Sequence, residues 1–342
     1  MGRKPTTNAN LPPHMRKRAQ RSGKVYYYLD TGEKPRKEIP LGDDYIAALR
    51  KYAELHEVAK VAAPTFGNVI TKYEVEVIPG LATSTQATHR YDMKHLRAFF
   101  DAAPLDQIKP MHIREFLDRH RAKPTTANRC KRLFSTLWNH ARGWGYTDLE
   151  NPCIGIMGHS LKKREVYVTD EVFDAVRAAA SESLRDALEF AYLTGQRPGD
   201  ALRARMDDIV DGALAIDQGK TGKRLRIAVT GQLADLIARI QVRKAAHKTV
   251  HAQILMARDG KPMTKQILKD HFAAAKEAAT AARPELAGAI KEFWFYDLRA
   301  KAADDKSSEL GDQAASDLLG HDSVKTTRKH YLRRGKIVGP VK

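Results

Sequence analysis

The stretch "LLGHDSVKTTRKHYLRRG" (Leu318–Gly335) sets His321 ten residues ahead of Tyr331, inside a run of Lys and Arg near the C-terminal end of the sequence. It has two readings. One is a basic helix end with an incidental tyrosine, since a charged run is most often a solvated face. The other is a tyrosine placed to attack a negatively charged group. The stretch alone favours the first; the rest of the chain decides between them.

The 342 residues include 59 Lys and Arg against 41 Asp and Glu, a formal net charge of +18, with 29% charged and 42% hydrophobic residues. That length accommodates two or three domains, and the composition is that of a folded chain rather than a disordered one. A positive surplus on this scale favours a polyanionic partner, nucleic acid foremost. Cys130 and Cys153 are the two cysteines, and a large domain without a signal peptide gives no reason to pair them. The opening "MGRKPTTNANLPPHMRKRAQ" has no apolar core, and no apolar run reaches the ~18 residues of a membrane span. These features predict a cytoplasmic protein with access to a bacterial chromosome and no membrane partner. The 13 His are scattered, with no CxxC or HExxH spacing, so no metal or other cofactor is predicted.

Three segments separate along the chain. Residues 1–62 read as a basic N-terminal module, with ten Lys or Arg and three acids in the first forty residues. It opens as a flexible Pro-rich arm. "GKVYYYLDTGEKPRKEIPLG" then predicts short strands joined at Asp30-Thr31-Gly32, because aromatic and β-branched residues are bounded by Gly and Pro. A helix follows in "DDYIAALRKYAELHEVAKVAA", with Ile46, Leu49, Ala53 and Val58 at roughly helical spacing.

Residues 64–160 carry four helical patterns with turn signals between them, and Ser84 and Thr125 are candidate N-caps. Arg90, Lys94, Arg119, Arg121, Lys123, Arg129, Lys131 and Arg132 lie mostly off the apolar stripes, a pattern that suits a helical bundle laid against phosphates. "GHSLKKREVYVTD" reads as a linker that ends in Thr169 as an N-cap. Residues 165–342 then predict a mainly helical domain with runs near 170–180, 183–194, 231–246, 264–281 and 312–319. Two or three strands are expected in "DDIVDGALAIDQGKTGKRLRIAVT". The fold class is mainly α with small β-sheets (α+β).

Four stretches of this last segment carry chemistry when taken together. In "TGQRPGDAL", Arg197 follows a Thr-Gly turn and precedes Pro-Gly, a placement that fixes the direction of a planar guanidinium suited to phosphate. In "DQGKTGKRL", Lys220 sits near a strand turn flanked by glycines. In "FWFYDLRAKAA", Arg299 follows Tyr296. The opening stretch supplies His321 and Tyr331, the only tyrosine after Tyr296.

In that order and at these separations, "TGQRPGDAL", "GKTGK", "DLR" and "LLGH…HY" resemble the tyrosine recombinases, or phage-type integrases. The resemblance covers 170–335, and the family's usual layout also suits the two segments before it. It implies a site-specific DNA recombinase of a phage or integrative element, working through a covalent 3′-phosphotyrosyl link. It also implies the roles: Arg197 and Arg299 as the catalytic arginines, Lys220 as a general acid for the leaving 5′ oxygen, His321 beside the nucleophile, Tyr331 as the nucleophile, and Asp200 as an orienting acid.

Two departures stand out. Tyr296 occupies the place where the family most often has His; a phenol can hydrogen-bond a phosphate oxygen but does not readily accept a proton at neutral pH. The His321–Tyr331 interval is one residue longer than the commonest spacing.

The implied partners are double-stranded DNA at core and arm sites, a homotetramer on that DNA, an accessory DNA-bending protein and a directionality factor. Two other readings share the scaffold or the chemistry: a catalytically inactive DNA-binding regulator and a type IB topoisomerase.

Overall fold

The computed structural model describes residues 11–32, 34–55, 63–248, 251–335 and 339–341. The chain divides into two compact units, residues 1–162 and 163–342. Val58 and the first ten residues of the basic arm lie outside the described residues.

The first unit opens with an antiparallel sheet in the order β1-β2-β3, from β1 (Met15–Ala19), β2 (Val25–Asp30) and β3 (Glu38–Gly42). Side chains alternate across a strand, so the register splits the tyrosines of β2 between two faces. Tyr27 joins Met15, Leu29 and Leu41 against helix α1 (Tyr45–Leu55), where Ala48 is fully buried. Arg16, Arg18 and Tyr28 take the other face, with Arg16 paired to Asp30 and Arg18 to Glu38.

Two expectations are corrected here. "MRKRA" is strand β1 and not flexible arm; its polar residues alternate with too few apolar ones to show a strand period. The buried side of α1 is Ala48, Leu49 and Tyr52, while Ile46 is 64% exposed and Ala53 is exposed.

Four helices follow: α2 (Phe66–Glu76), α3 (Thr83–Phe100), α4 (Pro110–Arg119) and α5 (Pro124–Gly143). Their core is aromatic, with Phe66 stacked on Phe134 at 4.3 Å and Phe134 against Trp138 at 5.8 Å. Thr65 caps α2, but the predicted caps Ser84 and Thr125 lie inside their helices, whose N-cap residues are Ala82 and Lys123. At α5 the reason is Pro124, whose fixed φ suits the first helical position and starts the helix two residues earlier than a Thr125 cap would. Arg129 grips the fully buried Asp92 through two 2.6 Å bonds. Arg119 and Arg121 pair with Glu115 and Asp118. Among the described residues, Arg90, Lys94, Lys123, Lys131 and Arg132 carry no ion pair and add to this unit's uncompensated positive charge.

The second unit is built from α6 (Asp170–Ala178), α7 (Glu182–Thr194), α8 (Pro198–Ala201), α9 (Gln232–Ala246), α10 (Lys265–Ala282), α11 (Ala287–Glu292), α12 (Asp297–Leu319) and α13 (Val324–His330). A second antiparallel sheet, in the order β4-β5-β6, comprises β4 (Ile209–Val210), β5 (Ala213–Asp217) and β6 (Arg224–Ala228). Thr169 caps α6, as its position before "DEVF" predicts, by accepting from the Val172 N–H.

Helix α12 packs against both α7 and α13 and is the axis of this unit. It is far longer than the expected 312–319, because it runs back to Asp297 across a kink at Gly311 (φ 88). Its first turns bury Asp297, Arg299, Lys301 and Asp304 beside Leu298, Ala300 and Ala303, so no amphipathic period marks them. The architecture is mainly α with two small three-stranded sheets.

Candidate active site

The site lies within the second unit, where α12, α13, the α7–α8 turn and the β5–β6 turn meet. Helix α7 ends at Gly195 in the left-handed conformation (φ 63), and Arg197 becomes the N-cap residue of α8 with Pro198 in the first position. This turn aims Arg197 sideways. Its Nη1 donates to Gln218 Oε1 at 3.1 Å and lies 3.8 Å from Asp200 Oδ2. Asp200 itself accepts from the Gly219 N–H at 3.1 Å and from Arg203, tying the β5–β6 turn to α8. Lys220 stands exposed at that turn.

Arg299 is 1% exposed. Its Nη1 donates to the Gly195 carbonyl at 2.8 Å and its Nη2 to the Leu319 carbonyl at 2.7 Å. Nη2 also reaches His321 Nε2 at 3.2 Å, and the guanidinium carbon sits 5.2 Å from the centre of the Tyr331 ring. Burial pulls the guanidinium's pKa below its ordinary value, with Tyr331 pushing back and Arg197 adding to the fall. An arginine remains a cation at neutral pH regardless. Its Nε is a buried donor without a hydrogen-bond partner among the described residues, a group an incoming phosphate oxygen could satisfy.

Tyr331 follows the last residue of α13 and is 8% exposed, packed on Ala300, Ala303, Ala315 and Leu319. Its oxygen lies 3.0 Å from the oxygen of Tyr296, whose ring is 40% exposed. Burial alone would raise the pKa of Tyr331. The hydrogen bond from Tyr296 and the charges of Arg299 and Arg197 outweigh that and hold it below the ordinary value. Tyr296 goes the other way, pushed up to about 12 by burial and by its neighbour phenol. The two phenols share one hydrogen bond in which either oxygen can donate, and the cations beside Tyr331 favour charge on its oxygen.

The His321 ring packs on Tyr331 at 4.8 Å, and its Nδ1 lies 2.8 Å from Thr327 Oγ1. Burial, then Arg299 and Arg197, hold its pKa down at about 4.

Arg197, Lys220, Tyr296, His321 and Tyr331 line a single groove of about 720 Å³, with Trp294, Arg164 and Arg333 at its border. All the residues singled out in the last segment therefore converge: five line the groove, Arg299 lies beneath it, and Asp200 supports it from behind.

Sequence reasoning missed several supports. Gln218, 1% exposed, accepts from Arg197 and donates to Gln196 Oε1 and the Leu319 carbonyl, both at 2.9 Å. Asp297 is gripped by Arg164 at 2.8 and 2.5 Å and by Arg333 at 2.7 Å. Burial would raise the pKa of Asp297, but those two arginines and the Trp294 N–H keep it below the carboxylate range. The one available signal was adjacency, since Gln196 and Gln218 stand next to "RPG" and "GKTGK". Among the described residues, no group of three or more His, Cys, Asp or Glu is placed to hold a metal ion, and no helix is long and apolar enough to cross a membrane.

Known proteins share this organisation. The sequence profile of the Phage integrase family matches residues 167–336. The integrase of Escherichia phage HK022 is 26% identical over 357 aligned positions, covering 96% of this chain and 95% of that protein. The integrase of Escherichia phage lambda is 25% identical over 263 positions, covering 75% of this chain and 72% of that protein. Among solved structures, the lambda integrase dimer bound to a COC′ core site matches with a TM-score of 0.68 at 22% identity, covering 97% of this chain and 98% of that one. The Tn1549 transposon integrase in complex with transposon right end DNA matches at 0.67 and 15% identity, covering 78% and 95%. These two share the fold. The profile match runs from just before α6 to just beyond Tyr331, over Arg197, Asp200, Lys220, Tyr296, Arg299, His321 and Tyr331, and the relatives extend the likeness to almost the whole length: the chain belongs to the phage integrase family, the tyrosine recombinases.

Proposed function

We propose that this chain is a site-specific DNA recombinase, an integrase-type DNA strand transferase of a phage or mobile element, with Tyr331 as its nucleophile. One observation carries the assignment: a phenol oxygen lies 3.0 Å from that of Tyr296 and beside a buried guanidinium, in a groove edged by further cations. Ionising an ordinary tyrosine at neutral pH costs about 4 kcal/mol. Charges that favour the phenolate also favour the transition state of an attacked phosphodiester. Tyr331 releases its proton to solvent and its Oη bonds to phosphorus, the bond from phosphorus to the 5′ oxygen breaks, and Lys220 gives that oxygen a proton. The product is a 3′-phosphotyrosyl link and a free 5′-hydroxyl, which reverses to rejoin a strand. Arg197 and Arg299 hold the non-bridging oxygens, and Asp200 orients Arg197 and the Lys220 turn.

The experiment is adduct formation on a nicked suicide duplex. Tyr331→Phe retains duplex binding and forms no covalent adduct. An adduct that persists in that variant removes Tyr331 from the role. A wild type that binds its site but never links to it would instead favour an inactive regulator, and ready relaxation of a supercoiled plasmid lacking an attachment site would favour a topoisomerase.

The partners belong to the same proposal. Residues 64–160 and 165–342 bind the core site of double-stranded DNA, and the sheet and helix of 1–62 bind arm sites. Four copies assemble as a homotetramer on that DNA, helped by a DNA-bending protein and a directionality factor, in the bacterial cytoplasm at the nucleoid. The solved complexes of lambda integrase support the first part, one a dimer on a core site and another a tetramer on a Holliday junction.

A further inference from the structure

We infer that Thr327 is a positioning residue that fixes His321 in one tautomer, with the proton on Nδ1 and the lone pair of Nε2 turned to Arg299. The inference rests on the recombinase reading only for its consequence in cleavage. Arginine has donors and no acceptor, so an imidazole nitrogen 3.2 Å from Arg299 Nη2 has to be the accepting one. The ring is neutral at pH 7, because burial and the neighbouring arginines oppose its protonation. The single ring proton then resides on Nδ1, 2.8 Å from Thr327 Oγ1, which accepts it. The other tautomer would set an N–H against the Arg299 donors.

Thr327 is 0% exposed and serves the nucleophile as well. Its carbonyl accepts from the N–H of Tyr331 at 2.8 Å and of Leu332 at 3.2 Å. One residue of α13 therefore sets the orientation of His321 through its side chain and the start of the Tyr331 segment through its main chain. An Nε2 held this way can take up a proton, and it donates to a phosphate oxygen only after it has done so. That property suits a site in which Tyr331 has a proton to lose and Tyr296 is poor at accepting one.

The test labels the full-length protein with ¹⁵N-histidine and reads the tautomer of His321 by NMR without DNA, with the signal assigned by its loss in His321→Asn. Wild type and Thr327→Ser are expected in the Nδ1–H form, and Thr327→Val, whose imidazole is no longer held in place against Arg299, is expected to leave it. An Nε2–H wild type, or a Val variant unchanged from wild type, overturns the inference. In cleavage of the nicked duplex, Thr327→Val should be slower by roughly tenfold or more, as when a catalytic imidazole loses the partner that fixes its tautomer. Thr327→Ser should restore the rate, and Val should add nothing further to a His321→Ala background. Equal slowing in both backgrounds would assign Thr327 to packing of α13 alone. Should the Val variant fail to bind duplex, the wild-type and Ser tautomers still decide. A wild type that forms no adduct sinks the recombinase reading and leaves the tautomer result standing.

Discussion

The phenols of Tyr296 and Tyr331 meet oxygen to oxygen at 3.0 Å, and only Tyr331 is set up to lose its proton. Tyr296→Phe removes the bond that lowers Tyr331, so the nucleophile's pKa rises and its phenolate fraction at pH 7 falls about tenfold per unit of that rise. Single-turnover cleavage followed against pH should show the rise in rate displaced to higher pH, with the variant approaching wild type once both phenols are ionised. A profile lowered uniformly at every pH would mean that Tyr296 acts on the phosphate and not on Tyr331. The two arginines separate by a different measurement. Arg197→Ala should slow cleavage by about 10² or more with little change in melting temperature, since Arg197 makes one side-chain hydrogen bond, to Gln218, and its ion-pair partner Asp200 keeps Arg203. Arg299→Ala should lose activity and stability together, because the Gly195 carbonyl would be left buried without its donor and the Leu319 carbonyl would keep only Gln218. The side chains of the site were legible in the sequence because a phosphate-attacking phenol needs cations, and Arg197, Lys220 and Arg299 each stood beside a turn or a motif. Gln218 and Thr327 were not legible. A buried amide or hydroxyl is ordinary in any polar run until the fold shows what it touches.

Helix α12 joins those side chains, and its end is set by a close approach. Gly320 closes the helix in the left-handed region (φ 68), and a Cβ there would stand 2.9 Å from Leu225 Cδ1 and 3.0 Å from Gln218 Nε2. Gly320→Ala should therefore cost about 1–3 kcal/mol from backbone strain alone. It should also slow cleavage, because Gln218 would have to shift and Arg197 hangs from it. Thermal unfolding and cleavage are both expected to fall, and a fall in stability with the cleavage rate intact would show that Gln218 does not hold Arg197. The helices with a clean apolar stripe, α3, α5, α6 and α10, stand close to where the sequence puts them. Strand β1 and the first half of α12 were hidden for opposite reasons: β1 exposes nearly everything, and α12 buries charged residues among alanines. In both, the contrast between an apolar and a polar side is lost, and that contrast is what periodicity reads.

Across the whole molecule the surplus of +18 acts through phosphates, so salt is the handle on it. Each phosphate neutralised releases condensed counterions, and log affinity falls with log salt at about 0.9 per contact. In the first unit, Arg90, Lys94, Lys123, Lys131 and Arg132 of the helical part lack ion pairs among the described residues, and so do Lys17, Arg21, Lys34, Lys37, Arg50 and Lys51 of the N-terminal part, where Arg16 and Arg18 are paired with Asp30 and Glu38. The two groups should act on different stretches of DNA. Removing residues 1–62 should leave the salt slope and affinity on a core-site duplex close to wild type, since the uncompensated cations of α3 to α5 remain. The same truncation should flatten the slope on DNA carrying the flanking sites and should impair complete integration. Titrations at several salt concentrations on both duplexes, with integration assayed in parallel, separate the two. Undiminished integration after the truncation would count against an arm-binding role. A collapse of core-site affinity would show instead that the sheet and helix of residues 15–55 lie on the core duplex itself.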